Sequence, residues 1–163
     1  IEERDRSRYR RSAAMTDATP QLVPGRSCQD CTLCCKLLAV HELQKPSQSW
    51  CDHCEIGVGC NIYEARPGDC RTFYCGWLLD PRISDAWRPR DSRMVVKFES
   101  KRIAIHVDRD RKHQWRKEPF QSQIRAWARA GTLYDGDVIV WEGKEAIRVG
   151  PAGEQKLGRA KEP

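Results

Sequence analysis

Nine cysteines in one stretch of the chain are the residues that could do chemistry. All of them lie between Cys28 and Cys75, and none lies elsewhere. Their spacing is Cys28-x2-Cys31-x2-Cys34-Cys35, followed by Cys51-x2-Cys54-x5-Cys60-x9-Cys70-x4-Cys75. A Cys-x2-Cys turn brings two sulfur atoms to the same side of the chain, where thiolates can bind zinc or the iron of an iron–sulfur cluster. The pattern therefore predicts that all nine cysteines are candidate metal ligands.

The odd number of cysteines argues against a framework of disulfides, because one thiol would stay unpaired. The segment from Ile1 to Ser12 is rich in Arg and acidic residues and contains no apolar signal region. We therefore expect a reducing cytoplasmic location, where clustered cysteines bind metals or carry out redox chemistry. We expect that Met15 is the start of the protein or that residues 1–14 are an upstream extension.

The neighbouring thiols of Cys34 and Cys35 limit how the ligands can be divided. Adjacent side chains point in different directions in a helix or a strand. The two cysteines are therefore expected to serve two sites, or one to bind metal while the other is buried. Nine sulfur atoms divide as four, four and one, or as one four-ligand site with additional thiols. His41 and His53 could each replace a cysteine, although His53 is expected to face solvent or to contact a ligand from outside.

The spacing favours zinc over iron. Zinc sites use pairs of cysteines from separate loops, and Cys51-x2-Cys54 is one such pair. The run from Cys28 to Cys35 is similar to the ligand run of four-iron clusters, but in those clusters three residues precede the fourth cysteine and a proline follows it. Because Cys35 directly follows Cys34, iron or an iron–sulfur cluster stays the alternative.

The cysteine-rich region also resembles a known family. The run Cys28-x2-Cys31-x2-Cys34-Cys35 is followed by Gly59-Cys60-x-Ile62-Tyr63-x2-Arg66-Pro67-x2-Cys70-Arg71-x-Phe73, an order that resembles the YkgJ-like cysteine-cluster family over residues 28–79. Proteins of that family are described as zinc- or iron-chelating domains. The resemblance implies that the recurrent ligand positions are Cys28, Cys31, Cys34, Cys35, Cys60 and Cys70. Cys51 and Cys54 look like an addition to that pattern, and Cys75 extends its end.

The composition is that of a charge-rich globular chain without a membrane span. Of the 163 residues, 39% are hydrophobic and 32% are charged. No run reaches the roughly 18 apolar residues that a membrane helix needs. The net charge is +6, and residues 76–163 hold nineteen Lys and Arg against thirteen Asp and Glu, a difference of +6. Since acidic residues are interspersed with the basic ones, nucleic acid is a less favoured partner than protein.

Residues after position 79 carry the periodicity of regular secondary structure. Alternating β-branched residues predict hairpins that pair 94–98 with 102–107 and 137–141 with 145–149. Between them a helix is expected after Pro119, with Gly131 at its C-terminal cap. The predicted fold class is α+β, in which a small irregular cysteine-rich metal-binding segment precedes a β-hairpin, a helix and a second β-hairpin. The expected parts are a flexible basic arm (1–27), a cysteine-cluster domain (28–79), an α+β unit (80–150) and a flexible tail (151–163).

The sequence favours a cytoplasmic metal-binding protein. Zinc, or alternatively iron, would be held mainly for structure, and the α+β part would contact a partner protein. No phosphate loop, dinucleotide fingerprint or hydrolase motif occurs, so a non-enzyme is favoured without being established. The alternatives are an iron–sulfur redox or protein-modification enzyme, and a zinc-dependent nucleic-acid-binding module in which Trp87 and Trp115 stack on bases. Ordinary surface packing is favoured for both tryptophans, and the charged run 108–113 is expected to be a solvated loop.

Overall fold

The computed structural model describes residues 19–134 and 136–159. The helices are α1 (Cys34–Leu37), α2 (Gly68–Arg71), α3 (Gly76–Leu79), α4 (Pro89–Ser92) and α5 (Phe120–Tyr134). The strands are β1 (Cys54–Glu55), β2 (Gly59–Cys60), β3 (Met94–Glu99), β4 (Arg102–Val107), β5 (Asp137–Glu142), β6 (Glu145–Gly150) and β7 (Gly153–Arg159). Helices thus occur together with a two-stranded and a five-stranded sheet, which confirms the α+β class. Within the described ranges, no helix has the length and apolar character that crossing a membrane requires.

The five-stranded sheet has the order β3-β4-β5-β6-β7. All neighbouring strands are antiparallel except β4 and β5, which run parallel with Arg102 opposite Asp137 and Val107 opposite Glu142. A parallel pair needs a crossover connection, and α5 supplies it between the two strands. The two hairpins predicted from the sequence therefore both form, and they lie side by side in one sheet.

One hydrophobic core joins the sheet, α5 and the cysteine-rich segment. Helix α5 buries Phe120, Ile124 and Ala128 in this core together with apolar residues of β5 and β6. The cysteine-rich segment contributes Leu33 and Leu37 to it, and each fully buried leucine stabilises the fold by about 1.5–3 kcal/mol. The segment 28–79 is therefore packed against the sheet-bearing part, and the core does not divide at position 80.

Two tryptophans that the sequence placed among basic surface residues lie in this core instead. Trp87 and Trp115 are each 1% exposed. The Trp87 ring lies 4.9 Å from the ring of Phe120 and 5.1 Å from that of Trp127, measured between centroids. The prediction that both tryptophans have a packing role is correct, but the prediction that they pack at the surface is wrong. Neither ring is available for stacking on a base.

Helix α5 does not end at Gly131, where the cap rule predicts its end, but continues to Tyr134. Gly131 meets a different requirement. A Cβ atom at this position would lie 2.8 Å from the carbonyl oxygen of Gly136, because the chain turns back closely after the helix to enter β5. The amide of Gly136 also donates a hydrogen bond to the Gly131 carbonyl at 3.2 Å.

The two predicted flexible ends differ from the structure where it describes them. The tail expected at 151–163 contains strand β7, which pairs with β6 from Gly150 opposite Gly153 to Glu145 opposite Arg159. All side chains of β7 are exposed, so no hydrophobic alternation marks it in the sequence. Of the predicted arm, residues 1–18 lie outside the described ranges, whereas Arg26 is fixed by hydrogen bonds to the carbonyls of Trp77, Asp80 and Ile83.

Candidate functional site

The cysteine-rich segment is organised by backbone turns more than by regular elements. None of the nine cysteines forms a disulfide, and only Cys28 is exposed. The amide of Cys31 donates to the Cys28 carbonyl at 3.0 Å, and the amide of Cys51 donates to the Cys35 carbonyl at 3.0 Å. In the small β1–β2 sheet, Cys54 lies directly opposite Cys60. These contacts bring thiols from distant parts of the sequence together.

The strongest interactions among the nine thiols fall into two groups. In the first, Cys35 makes hydrogen-bonding contacts with the side chains of Cys34 and Cys54, and Cys54 also interacts with Cys51. The Cys70 thiol interacts electrostatically with Cys35, Cys51 and Cys60. We call this set the six-cysteine group: Cys34, Cys35, Cys51, Cys54, Cys60 and Cys70. The second set is the three-cysteine group: Cys28, Cys31 and Cys75.

In the six-cysteine group, the thiols oppose one another's ionisation. The hydrogen bond that the Cys35 S–H donates to the Cys34 sulfur, followed by burial, raises the pKa of Cys35 far above its ordinary value. Burial and the charge of Cys35 raise the pKa of Cys54 to about 12. Burial likewise raises the pKa of Cys70. These thiols are therefore protonated at neutral pH unless a cation compensates the charge of their thiolates.

A buried lysine supplies positive charge beside these thiols. The Nζ atom of Lys45 donates hydrogen bonds to the carbonyls of Leu38 and Pro46, the latter at 2.9 Å. Burial lowers its pKa, while the charges of Cys51, Cys35 and other thiolates act in the opposite direction. Sequence reasoning missed Lys45, since nothing in its spacing from the cysteines marks it. Its ammonium group is suited to balance part of the negative charge of a thiolate site.

The three-cysteine group has backbone amides directed at its sulfur atoms. Burial raises the pKa of Cys31, and the N–H groups of Leu33 and Arg90 oppose this rise. Burial also raises the pKa of Cys75 to about 11, again against the effect of nearby backbone N–H groups at the start of α3. Because N–H donors favour the ionised form of a sulfur atom, these two positions are more suited to thiolate than their burial alone implies.

The nine predicted ligands lie in two groups, and neither group forms a coordination shell among the described residues. In the part of the chain that the structure describes, no three or more His, Cys, Asp or Glu side chains make a group that could hold a metal ion. The chemistry of the donor set nevertheless fits zinc or iron, since sulfur donors that oppose one another's ionisation are those whose charge a bound cation compensates. Cys34 and Cys35, which were expected to serve two sites or to divide into ligand and buried thiol, belong to one group and contact each other.

Of the two histidines considered as substitute ligands, His41 has a side-chain partner elsewhere, and His53 accepts a hydrogen bond through its backbone. The Nδ1 atom of His41 lies 3.2 Å from Oδ2 of Asp69, and both side chains are exposed. The amide of His41 donates to the same carboxylate, which lowers the pKa of Asp69. The carbonyl of His53 accepts a hydrogen bond from the amide of Asn61 at 2.8 Å. His41 is thus engaged with a carboxylate at the surface.

A buried ion pair joins α1 to the end of β4. The Nζ atom of Lys36 donates to both carboxylate oxygens of Asp108, at 2.9 and 3.1 Å, and to Asp110 at 2.6 Å. Burial opposes the charge of Asp108, but the hydrogen bonds from Lys36, Asp110 and Arg93 outweigh it and lower its pKa. Asp108 is fully buried, so the expectation that 108–113 is a solvated loop is wrong at this residue.

Comparison of the chain with models of known protein families, with curated proteins and with solved structures gives no match. The resemblance to the YkgJ-like family therefore stays a prediction from the cysteine pattern. The function has to be argued from the residues themselves.

Proposed function

We propose that this chain is a metal-binding protein that holds zinc through thiolates of the six-cysteine group, with iron or an iron–sulfur cluster as the alternative. The observation that carries the proposal is the convergence of thiols from three separate stretches of chain: α1, the β1–β2 region and α2. The six cysteines are partly buried outside the hydrophobic core, and the buried ammonium group of Lys45 lies beside them.

The acid–base behaviour of the thiols supports this proposal. A cysteine that binds metal must lose its proton, and metal binding is therefore coupled to proton release. Without a cation, burial and the neighbouring thiols keep Cys35 and Cys54 protonated. A divalent ion replaces those protons and removes the repulsion between thiolates, while Lys45 compensates part of the remaining charge. We therefore expect metal affinity to fall steeply as the pH is lowered.

The proposed metal is mainly structural, and the proposed location is the cytoplasm. The region between Cys51 and Cys70 contains only short elements of two to four residues, so metal binding would order loops that few backbone hydrogen bonds hold. A set of free thiols persists in a reducing compartment. Contact between the sheet-bearing part and a partner protein stays a prediction.

Metal content of the full chain tests the proposal directly. The protein is purified under anaerobic conditions, without chelators or an affinity metal, and its mass is measured by native mass spectrometry and its metals by elemental analysis. We expect bound zinc and no visible absorption. A coloured protein that contains iron and sulfide supports the alternative cluster. A metal-free chain, or one whose thiols have formed disulfides, contradicts both the zinc proposal and the iron–sulfur alternative.

Two ligand variants and a matched control sharpen the test. Structural zinc in small peptides has an apparent binding energy of about 10–16 kcal/mol, so losing one of four thiolates is expected to weaken binding about a hundredfold. We expect Cys60→Ser and Cys70→Ser each to show this loss in competition with a chelator. His41→Ala, which removes an exposed side chain in the same segment, should leave the affinity unchanged. Equal affinities in all three variants and the parent chain would rule the six-cysteine group out.

A further inference from the structure

The face of the large sheet opposite α5 carries a depression of about 240 Å³ that the metal-binding proposal does not use. Directly paired residues of neighbouring strands share a face, which defines one row of side chains across the sheet. That row runs from His106 on β4 to Trp141 on β5, Ala146 on β6 and Gly158 on β7. The side chains become smaller along this row, from the indole of Trp141 to the methyl group of Ala146 and the hydrogen atom of Gly158. The surface of the sheet is therefore lower beside Trp141.

One wall of the depression is a tryptophan whose ring is held in place. The imidazole of His106 stacks on the Trp141 indole, with an angle of 7° between the rings and 6.2 Å between their centroids. The Nε2 atom of His106 is buried and has no hydrogen-bond partner among the described residues. On the other side of Trp141, Ala146 is too small to cover the ring. The indole is therefore fixed by a neighbour and open toward the depression.

A bulge forms the opposite wall. The pairing of β6 with β7 shifts between Ala146 and Ile147, which leaves Leu157 as the extra residue of β7. A bulge redirects the side chain of the extra residue, and Leu157 is 51% exposed and lines the depression. The space between Trp141 and Leu157 thus has apolar walls and a floor of small residues.

The rim carries three guanidinium groups. Arg102, Arg148 and Arg159 line the depression together with one acidic residue, Asp137. Arg148 is hydrogen-bonded to Asp137, with Nη2 at 2.6 Å from Oδ1. Among the described residues, Arg102 and Arg159 lie 3.7 and 3.9 Å from the carboxylates of Glu99 and Glu145, which is beyond hydrogen-bond distance. Although a carboxylate lies near each of them, both guanidinium groups therefore keep donors for an anionic ligand.

We infer that this depression binds a nucleoside phosphate, with the base between Trp141 and Leu157 and the phosphate on the surrounding arginines. The Trp141 indole offers a surface on which a base can stack, and the guanidinium groups of Arg102 and Arg159 can donate hydrogen bonds to phosphate oxygens. Both a free nucleotide and a nucleotide within a single strand present this chemistry. The site is separate from the six-cysteine group and does not depend on the proposed metal.

Fluorescence anisotropy of the full chain with a labelled single-stranded oligothymidylate tests the inference, with unlabelled ATP as competitor. If Arg102 and Arg159 both neutralise phosphates, the logarithm of the affinity should fall with the logarithm of the salt concentration with a slope of about −1.4, at about −0.7 per phosphate. Displacement by ATP supports the free nucleotide as the ligand. Binding of the strand without displacement supports the single strand. Absence of binding to both probes overturns the inference.

Three variants locate the binding. Trp141→Leu removes the stacking surface and should weaken binding about tenfold. Leu157→Glu places an anion in the depression at a half-exposed position, which keeps the test valid if Trp141→Leu does not fold. Arg159→Gln should make the salt slope shallower by about 0.7. The control is Arg125→Gln, which makes the same charge change on the exposed side of α5. Binding that Leu157→Glu leaves unchanged, or that the control reduces as much as Arg159→Gln does, refutes the site.

Discussion

Replacing Asp108 by asparagine tests how the cysteine-rich segment is attached to the sheet. The change keeps the shape of the side chain and removes its charge. Asp108 accepts hydrogen bonds from Lys36 at 2.9 and 3.1 Å and from Arg93 at 2.5 Å, and its side chain is 0% exposed. The substitution therefore leaves the buried ammonium group of Lys36 with only Asp110, whose carboxylate is largely exposed.

The expected loss follows from the burial of the partners. Removing one member of a buried ion pair costs about 3–5 kcal/mol of unfolding free energy. We expect a value near the lower end, about 3 kcal/mol, because Lys36 keeps one carboxylate and Arg93 is partly exposed and can regain water. Urea denaturation followed by circular dichroism measures this loss. A decrease below about 1 kcal/mol, as for a surface pair, would refute the buried role of the contact.

A matched control and the pH dependence separate this contact from general surface charge. Glu154→Gln removes a carboxylate that forms two hydrogen bonds with Arg116 at the surface, and should cost less than about 1 kcal/mol. Since the folded state lowers the pKa of Asp108, its charge stabilises the fold above the unfolded-state pKa of about 3.9 and loses this effect as the pH falls through the folded value. The difference between wild type and Asp108→Asn should therefore shrink in acid.

Two further predictions concern the sheet-bearing part. Gly131→Ala should destabilise the protein, because the new Cβ would lie 2.8 Å from the Gly136 oxygen. Without this contact, alanine in a helix would stabilise the protein by about 0.5–1 kcal/mol relative to glycine. A gain in thermal stability would contradict the prediction. Burial, and then the charge of Lys97, lower the pKa of His106 to about 4. As the pH is lowered, the unfolded state therefore takes up a proton before the folded state does. The free energy of unfolding should fall from pH 6.5 to pH 4 by up to about 1.4 kcal/mol per pH unit. Urea denaturation at several pH values should show this contribution, and its persistence in His106→Phe would refute the assignment.

The elements that the sequence predicts correctly are those with a local periodic signal. Strands β3 to β6 are rich in β-branched residues, and α5 presents Phe120, Ile124 and Ala128 on one side. Strand β7 could not be found in this way, because it is held by backbone pairing and all its side chains are exposed. The cap assigned to Gly131 was wrong for a related reason: the glycine is needed for a close approach of Gly136, which no local rule contains.

The candidate site shows the same limit. Spacing identifies the nine cysteines as candidate ligands, but it does not show which of them meet, since this depends on contacts such as that between Cys35 and Cys51. The buried role of Asp108 was missed because a run of alternating charges resembles a solvated loop. Its partner Lys36 lies 72 positions earlier in the sequence, beyond the reach of any local pattern.

Helix α1 explains why the thiols do not depend on metal alone for their position. A helix of four residues is not stable by itself, because the free-energy cost of nucleating a helix exceeds the stabilisation from so few hydrogen bonds. Its conformation must therefore be imposed by contacts with the rest of the protein: the burial of Leu37 in the core and the ion pair of Lys36 with Asp108. Both residues directly follow Cys34 and Cys35, so the sheet fixes two of the six thiols before any metal binds. Removal of the proposed metal should consequently loosen the loops that carry Cys51 to Cys70, and leave α1 attached to the core.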